Sequence, residues 1–358
     1  MIHPIRAWNG FFFGLTSARP LGAIRIVFGL LALANLAFTA VDLDYWFTEN
    51  GLLVGADSRN IAGPLQHSPL QYFQDQTSVR VAFAFTATAA ALMTIGWRTK
   101  LMSILFYLGM LSIHNRNLVS SSGADVLLLT FAFNLMISPC GAAYSVDAWL
   151  ASRRRGTLAE PLILAWSLRL IQIQIGVVYT LAAILKLGGN LWLNGTALHY
   201  VLANTEVYRF DLGFLTRYPI LINLMTYSAL AMEFALAFLI WFRAARPTVL
   251  ILGLMLHTGI LITINIPIFG ELMWTGYLAF LTPPEFNALL RAVDVRRLFR
   301  RPTSEAAAVD EPAEVATPAF RPASIFVRLD GPAALAGPHR IDVAASRAFE
   351  DARLGMAD

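Results

Sequence analysis

Long apolar runs separated by short, arginine-bearing polar segments dominate the chain. The runs cover Leu21–Ala40, Val79–Trp97, Leu101–Ile113, Ala124–Ile137, Trp166–Leu187, Pro219–Trp241, Val249–Ile266 and Leu272–Leu281. A helix needs roughly 20 apolar residues to cross a bilayer core, so the shorter runs must extend into their polar flanks. The pattern predicts an all-α, polytopic membrane bundle of eight transmembrane helices. Residues 1–20 have no compact apolar core followed by a small-residue cleavage site, and read as a cytoplasmic segment rather than a secretory signal. Residues 21–284 form the membrane domain and 285–301 a basic juxtamembrane segment. From Pro302 onward Pro, Ala, Glu and Arg dominate, which reads as a mostly disordered cytoplasmic tail with one strand-compatible stretch, SIFVRLDG (324–331).

Composition sharpens this picture. The chain is 57% hydrophobic and 14% charged, against roughly 25% charge in an average soluble domain. It has too few polar groups to cover a water-facing surface. The net charge of +4 does not indicate nucleic acid, because the basic residues fall in small clusters between apolar runs and form no continuous stripe. With the N-terminus placed inside, fourteen Lys and Arg fall on the inner side, at Arg6, Arg19, Arg98, Lys100, Arg153 to Arg155, Arg243, Arg246, Arg291, Arg296, Arg297, Arg300 and Arg301. Five fall outside, at Arg59, Arg80, Arg116, Arg209 and Arg217. That asymmetry predicts both termini in the cytoplasm, in a plasma (inner) membrane. The single cysteine, Cys140, excludes an intrachain disulfide and a thiolate metal cluster. No metal site, nucleotide loop, HExxH, GxSxG or CxxC is present, and the NGT at 194–196 is a sequon of a kind that arises often by chance.

Ionisable groups inside apolar helices are costly, roughly 2.5–3.5 kcal/mol at a helix centre, and usually face the bundle interior. The fifth run is the most informative. Arg169, Gln172, Gly176, Tyr179, Ala183 and Lys186 recur at steps of three and four and draw one stripe along one helix face. Asn223, Thr226 and Glu233 do the same in the sixth run, Arg25, Ala32 and Asn35 in the first, and Gly253, His257 and Asn265 in the seventh. The charge-based topology puts Lys186, Asp125, Asn265 and Glu271 toward the outer side, His257 near mid-depth, and Arg25, Arg169 and Glu233 in the inner half. A polar pocket opening outward follows, with Lys186, His257 and Asp125 as its titratable candidates and Tyr179, Trp192, Asn223, Asn265 and Glu271 as its lining. Arg25, Arg169, Gln172 and Glu233 read as structural, with Glu233 paired to Arg169 or Arg25.

Two readings stand for the chemistry-bearing residues. Of 27 basic residues only Lys100 and Lys186 are lysines, and a lysine on a polar stripe is a base or nucleophile once desolvated. A lysine near a helix end also snorkels to the interface, and a membrane histidine also serves to bond a neighbouring helix.

The stretch YTLAAILKLGGNLWLNGTAL (179–198) resembles the membrane core of the vitamin K-dependent gamma-glutamyl carboxylases and their wider relatives, the horizontally transferred transmembrane (HTTM) domain family. RIVFG around Arg25, GWRTKL (96–101), Ser145–Asp147, Glu233 and His257 follow in matching order, so the likeness spans about Leu21 to Pro284. The resemblance implies that Lys186 is the base that deprotonates a reduced, vitamin K-like quinone, with His257 in the same membrane core. Two departures stand against carboxylation itself. SSSGAD (120–125) replaces the carboxylases' Asn-Asn-His segment, and the large lumenal domain has no counterpart here. One group in the family resembles a membrane protein required to mature a secreted sporulation-delaying toxin. The expectation is therefore a membrane enzyme using Lys186 on a quinone-like lipid or an exported peptide. The alternative is a non-catalytic factor for maturation or export of a secreted peptide. A transporter ranks below both, since no repeat or paired broken helix supports it.

Overall fold

The structure, a computed structural model, describes residues 4–64, 66–156 and 160–293. The expected tail and most of the basic juxtamembrane segment lie outside the described residues. Every apolar run becomes a helix. In chain order the main ones are α1 (Pro4–Phe13), α2 (Arg19–Val41), α3 (Gln76–Ile95), α4 (Thr99–Arg116), α5 (Gly123–Ile137), α6 (Val146–Arg155), α7 (Trp166–Leu187), α8 (Pro219–Phe238), α9 (Arg246–Thr263), α10 (Phe269–Tyr277) and α11 (Pro283–Val293).

Five of these are long and apolar enough to cross a membrane: α2, α3, α7, α8 with the 3-10 turn to Trp241, and α9. The runs behind α5 and α10 form helices of 15 and 9 residues, about 22 and 14 Å long. A small departure from an all-α fold is an antiparallel ribbon of β1 (Leu15–Ser17) and β2 (Leu162–Leu164), which pairs Leu15 with Leu164.

Local chemistry fixes the helix ends. Asp75 caps α3 by accepting the Ser78 amide at 2.9 Å. Ser122 and Asp125 form a capping box at the start of α5. Gly96 ends α3 with φ +76°, a left-handed conformation that favours glycine.

The core is centred on α2, which packs against α3, α5 and α10. Phe28 stacks on Phe131 at 6.0 Å and meets Phe106 edge-on at 5.9 Å. Gly29 lets α2 and α3 approach closely, since a Cβ there would lie 2.0 Å from the Thr94 hydroxyl.

The segment between α2 and α3, expected as an acidic outer loop, is built around buried polar groups. Arg116, counted in the sequence as a loop charge, is fully buried and donates to the Leu53 carbonyl at 2.8 Å. Its own carbonyl accepts from Ser58 at 2.7 Å. Gln71, also buried, donates to the Asn115 carbonyl at 3.0 Å. The reason is elementary: loop carbonyls removed from water need donors, and a guanidinium supplies several at once.

Candidate functional site

α7 carries the stripe that the sequence singled out, and its residues take three different partners. Near its end, Lys186 Nζ lies 2.7 Å from Glu233 Oε1 on α8. The same ammonium sits 5.0 Å from the Trp192 ring centroid, within cation–π range. Both side chains are largely enclosed, with 24% of Lys186 and 12% of Glu233 exposed. The second carboxylate oxygen of Glu233 is buried with no hydrogen-bond partner among the described residues.

This pairing corrects the expected partner of Glu233, which is neither Arg169 nor Arg25, and its depth, which is level with Lys186. The cause is the segment after α7. Its helical turns Asn190–Leu193 and Ala197–Ala203 pack along the first half of α8. The Tyr227 hydroxyl donates to the Leu193 carbonyl at 2.9 Å, and the Leu198 amide donates to Thr226 Oγ1 at 3.3 Å. That segment covers the start of α8, so the later part of α8 meets the end of α7. Asn223 belongs to the same packing: with its amide turned so that the nitrogen faces the nearby acceptors, it donates to the carbonyls of Pro219 (3.0 Å) and Gly195 (3.2 Å).

Seven residues before Lys186, Tyr179 is buried and its hydroxyl lies 2.6 Å from His257 Nε2 on α9. Its other neighbour is the Tyr277 hydroxyl on α10. His257 is closed in by Phe269 at 5.6 Å and by Tyr277, and its Nδ1 has no partner among the described residues. Tyr277 was not picked out from the sequence. The only signal was a phenol inside an apolar run, which periodicity alone cannot separate from an interface anchor.

At the start of the stripe, Arg169 donates to the Phe11 carbonyl (3.2 Å) and to Gln172 Oε1 (2.7 Å), with its guanidinium 4.2 Å from the Phe11 ring centroid. Gln172 in turn donates to the Ala279 carbonyl at 2.6 Å. These two residues tie α1, α7 and the turn after α10 together.

Arg25 is completely buried and holds the chain between α5 and α6. It donates to the carbonyls of Cys140 (2.7 Å), Ala143 (3.1 Å) and Tyr144 (2.5 Å). Beside it, Asp147 accepts from the amides of Arg98 (2.9 Å) and Thr99 (2.7 Å) and from the Thr99 hydroxyl (2.7 Å). The motif segments around Arg25, Gly96 to Thr99 and Ser145 to Asp147 thus converge on one junction. Burial raises the Asp147 carboxyl, but the hydrogen bonds from Thr99 and Arg98 outweigh it and hold the group below the usual carboxylate range. Burial pushes the Cys140 thiol up to about 11, against the pull of the Arg25 charge.

Asp125 does not join Lys186. It lines a separate cavity of about 420 Å³ with Asn35 and His114, and neither Lys186 nor His257 borders it. Asn265 is exposed; its amide donates to the Val207 carbonyl at 2.7 Å, and its side chain is a distant acceptor for Arg209 at 3.4 Å. Glu271, at the start of α10, has one carboxylate oxygen buried and without a partner among the described residues. Trp192 is the one expected lining residue that meets Lys186 directly.

The family model of the HTTM domain matches residues 13–284. No curated protein and no solved structure shows a significant match. That match covers all the membrane-length helices, Lys186, Glu233, Tyr179, His257, Arg25 and Asp147, and the chain is an integral membrane protein that belongs to the HTTM family.

Proposed function

We propose that this protein is a membrane enzyme in which Lys186 acts as a base and Glu233 is the group that takes and returns its proton. The carrying observation is the 2.7 Å contact between Lys186 Nζ and Glu233 Oε1. It stands in a helix wall where Leu181, Ile184 and Leu185 face outward. A proton passed along this hydrogen bond leaves a neutral amine beside a neutral acid, and only the neutral amine has a lone pair to offer. The free oxygen of Glu233 supplies a second acceptor for a substrate hydroxyl or for water.

The co-substrate we favour is a lipid-soluble phenol of the reduced quinone class, reaching Lys186 from the side of the bundle. The residues present suit it: Lys186 and the unpartnered Glu233 oxygen would hold a hydroxyl, the Trp192 ring offers a flat apolar face, and the bound quinol would supply a weakly acidic O–H. The acceptor substrate is an exported peptide. In this reading the chain crosses the plasma membrane eight times with both termini in the cytoplasm, and Lys186 faces the outer half.

The test is quinol oxidation with dioxygen supplied as the electron acceptor, by membranes carrying equal amounts of wild type, Lys186→Ala, Lys186→Arg and Glu233→Gln. Loss of activity in both Lys186 variants and impairment in Glu233→Gln is expected, because arginine keeps the charge but does not give up its proton. Unchanged turnover in Lys186→Ala would remove the catalytic role.

A second reading, a non-catalytic factor for maturation of an exported peptide, draws on a different observation. Arg25, Arg169, Gln172 and Asn223 all spend their hydrogen bonds on carbonyls or neighbouring side chains of the bundle itself. Under it, maturation of a co-expressed secreted peptide survives Lys186→Ala.

A further inference from the structure

A cavity of about 420 Å³ opens where the ends of α2 and α4 meet the start of α5, apart from the Lys186 pair. Its size is that of a small-molecule site. Its wall combines three aromatic side chains, Phe38, Trp46 and Phe47, with hydroxyls, amides and the His114 ring, and Asp125 is its one carboxylate. Among the described residues no lysine or arginine lines it. Arg116, the nearest arginine along the chain, turns its guanidinium to the carbonyls of Thr48 and Leu53.

The chemistry of the polar groups is one-sided. Asp125 Oδ2 is occupied by the Ser122 amide and hydroxyl, each at 2.8 Å, whereas Oδ1 has no hydrogen bond among the described residues. His114 meets the Ser121 hydroxyl at 3.3 Å. At the start of α5 the Ser122 hydroxyl takes the Asp125 amide, and the Asp125 carboxylate already places a negative charge in the first turn, which disfavours a second anion there. One carboxylate, three aromatic side chains and no fixed cation describe a site for a positive charge on an apolar body.

We propose that this cavity binds a small organic amine in its ammonium form, with the charged nitrogen on Asp125 Oδ1 and the apolar part against Trp46 and Phe47. The site is distinct from the Lys186 centre and does not depend on what that centre does.

The test is calorimetric titration of the detergent-solubilised full chain with phenethylamine, phenethyl alcohol and phenylpropionate. Saturable binding of the amine is expected, with the alcohol and the carboxylate at least about tenfold weaker. Asp125→Asn is expected to weaken the amine by about the same factor and to leave the alcohol unaffected. Since Asp125 also caps α5, Leu129→Trp serves as the independent variant: Leu129 lines the cavity without capping anything, and the indole should fill the space and abolish binding. Equal affinity for amine and alcohol, no saturable amine binding, or undiminished binding in Leu129→Trp would each overturn the proposal.

Discussion

Lys186 and Glu233 stand 47 residues apart in the chain and 2.7 Å apart in space, joined across α7 and α8. Either partner left alone is a charge in a mostly apolar wall. Removing one member of a fully buried pair costs about 3–5 kcal/mol, and of an exposed pair less than about 1 kcal/mol. With both side chains mostly enclosed, Lys186→Met and Glu233→Leu are each expected to cost about 2 kcal/mol. The double variant should lose clearly less than the two added together. Thermal unfolding of the four proteins in one detergent measures the coupling; strictly additive losses would show that the two do not act as a pair.

Gly29 is expected to be intolerant of even one methyl group. Its Cβ would fall 2.0 Å from Thr94 Oγ1 and 2.9 Å from Thr94 Cβ, so the clash cannot be relieved by rotating a flexible side-chain end. Gly29→Ala should destabilise by about 1–3 kcal/mol by forcing α2 from α3. Gly123, where a Cβ meets nothing within 4 Å, is the control, and Gly123→Ala should leave the melting temperature nearly unchanged.

Arg25→Lys is not a conservative exchange here. The guanidinium reaches three carbonyls in a fixed fork, a geometry that an ammonium does not reproduce. Arg25→Lys is expected to cost about 2 kcal/mol and Arg25→Met more, since buried carbonyls then lose their donors. Folded yield after extraction, scored by a fluorescent fusion, orders the variants. A yield for Arg25→Met equal to wild type would contradict the role given to this residue.

Acid sensitivity should trace in part to Asp147. Its carboxyl is held below the ordinary range in the folded protein. The stability it contributes is therefore present above the unfolded-chain value of about 4 and is lost as pH falls through the folded value. Asp147→Asn is expected to melt lower than wild type at pH 7 and to converge with it below about pH 4. Parallel melting curves at both pH values would refute this.

Cys140 should be silent toward thiol reagents. It is 2% exposed and its thiol is pushed up to about 11, so little thiolate exists near neutrality. A maleimide is expected to label it slowly in detergent and rapidly after denaturation, as followed by mass shift.

How much of this was written in the chain depends on which interaction is asked about. Helix existence was legible from the apolar runs; that of α7 matches residue for residue, Trp166–Leu187, with Gly188 as its C-cap. Stripe faces were legible as well, since Gln172, Gly176, Tyr179 and Ala183 are all buried. The partners were not. Glu233 could be assigned a face from spacing, but the shift of α8 along α7 is set by the 190–203 segment, whose packing has no periodic signature. Arg116 looked like a loop charge because burial of an arginine by backbone carbonyls leaves no trace in local sequence. Asp125 and Lys186 shared a predicted side of the membrane, yet a shared depth places residues on a plane and does not place them at one point on it.

The small β1–β2 ribbon has a consequence for the order of assembly. The Ala18 amide reaches the Pro161 carbonyl at 2.9 Å, and the Ala165 amide reaches the Gly14 carbonyl at 2.8 Å, so the residues entering α2 and those entering α7 are fastened to each other. Everything from α2 to α6 becomes a closed loop along the chain. During synthesis this clasp has no second half until Ala165 has left the ribosome, so α2 to α6 precede it as an open string. The emergence of a three-residue strand, rather than of another membrane helix, marks the moment at which that half of the protein can lock.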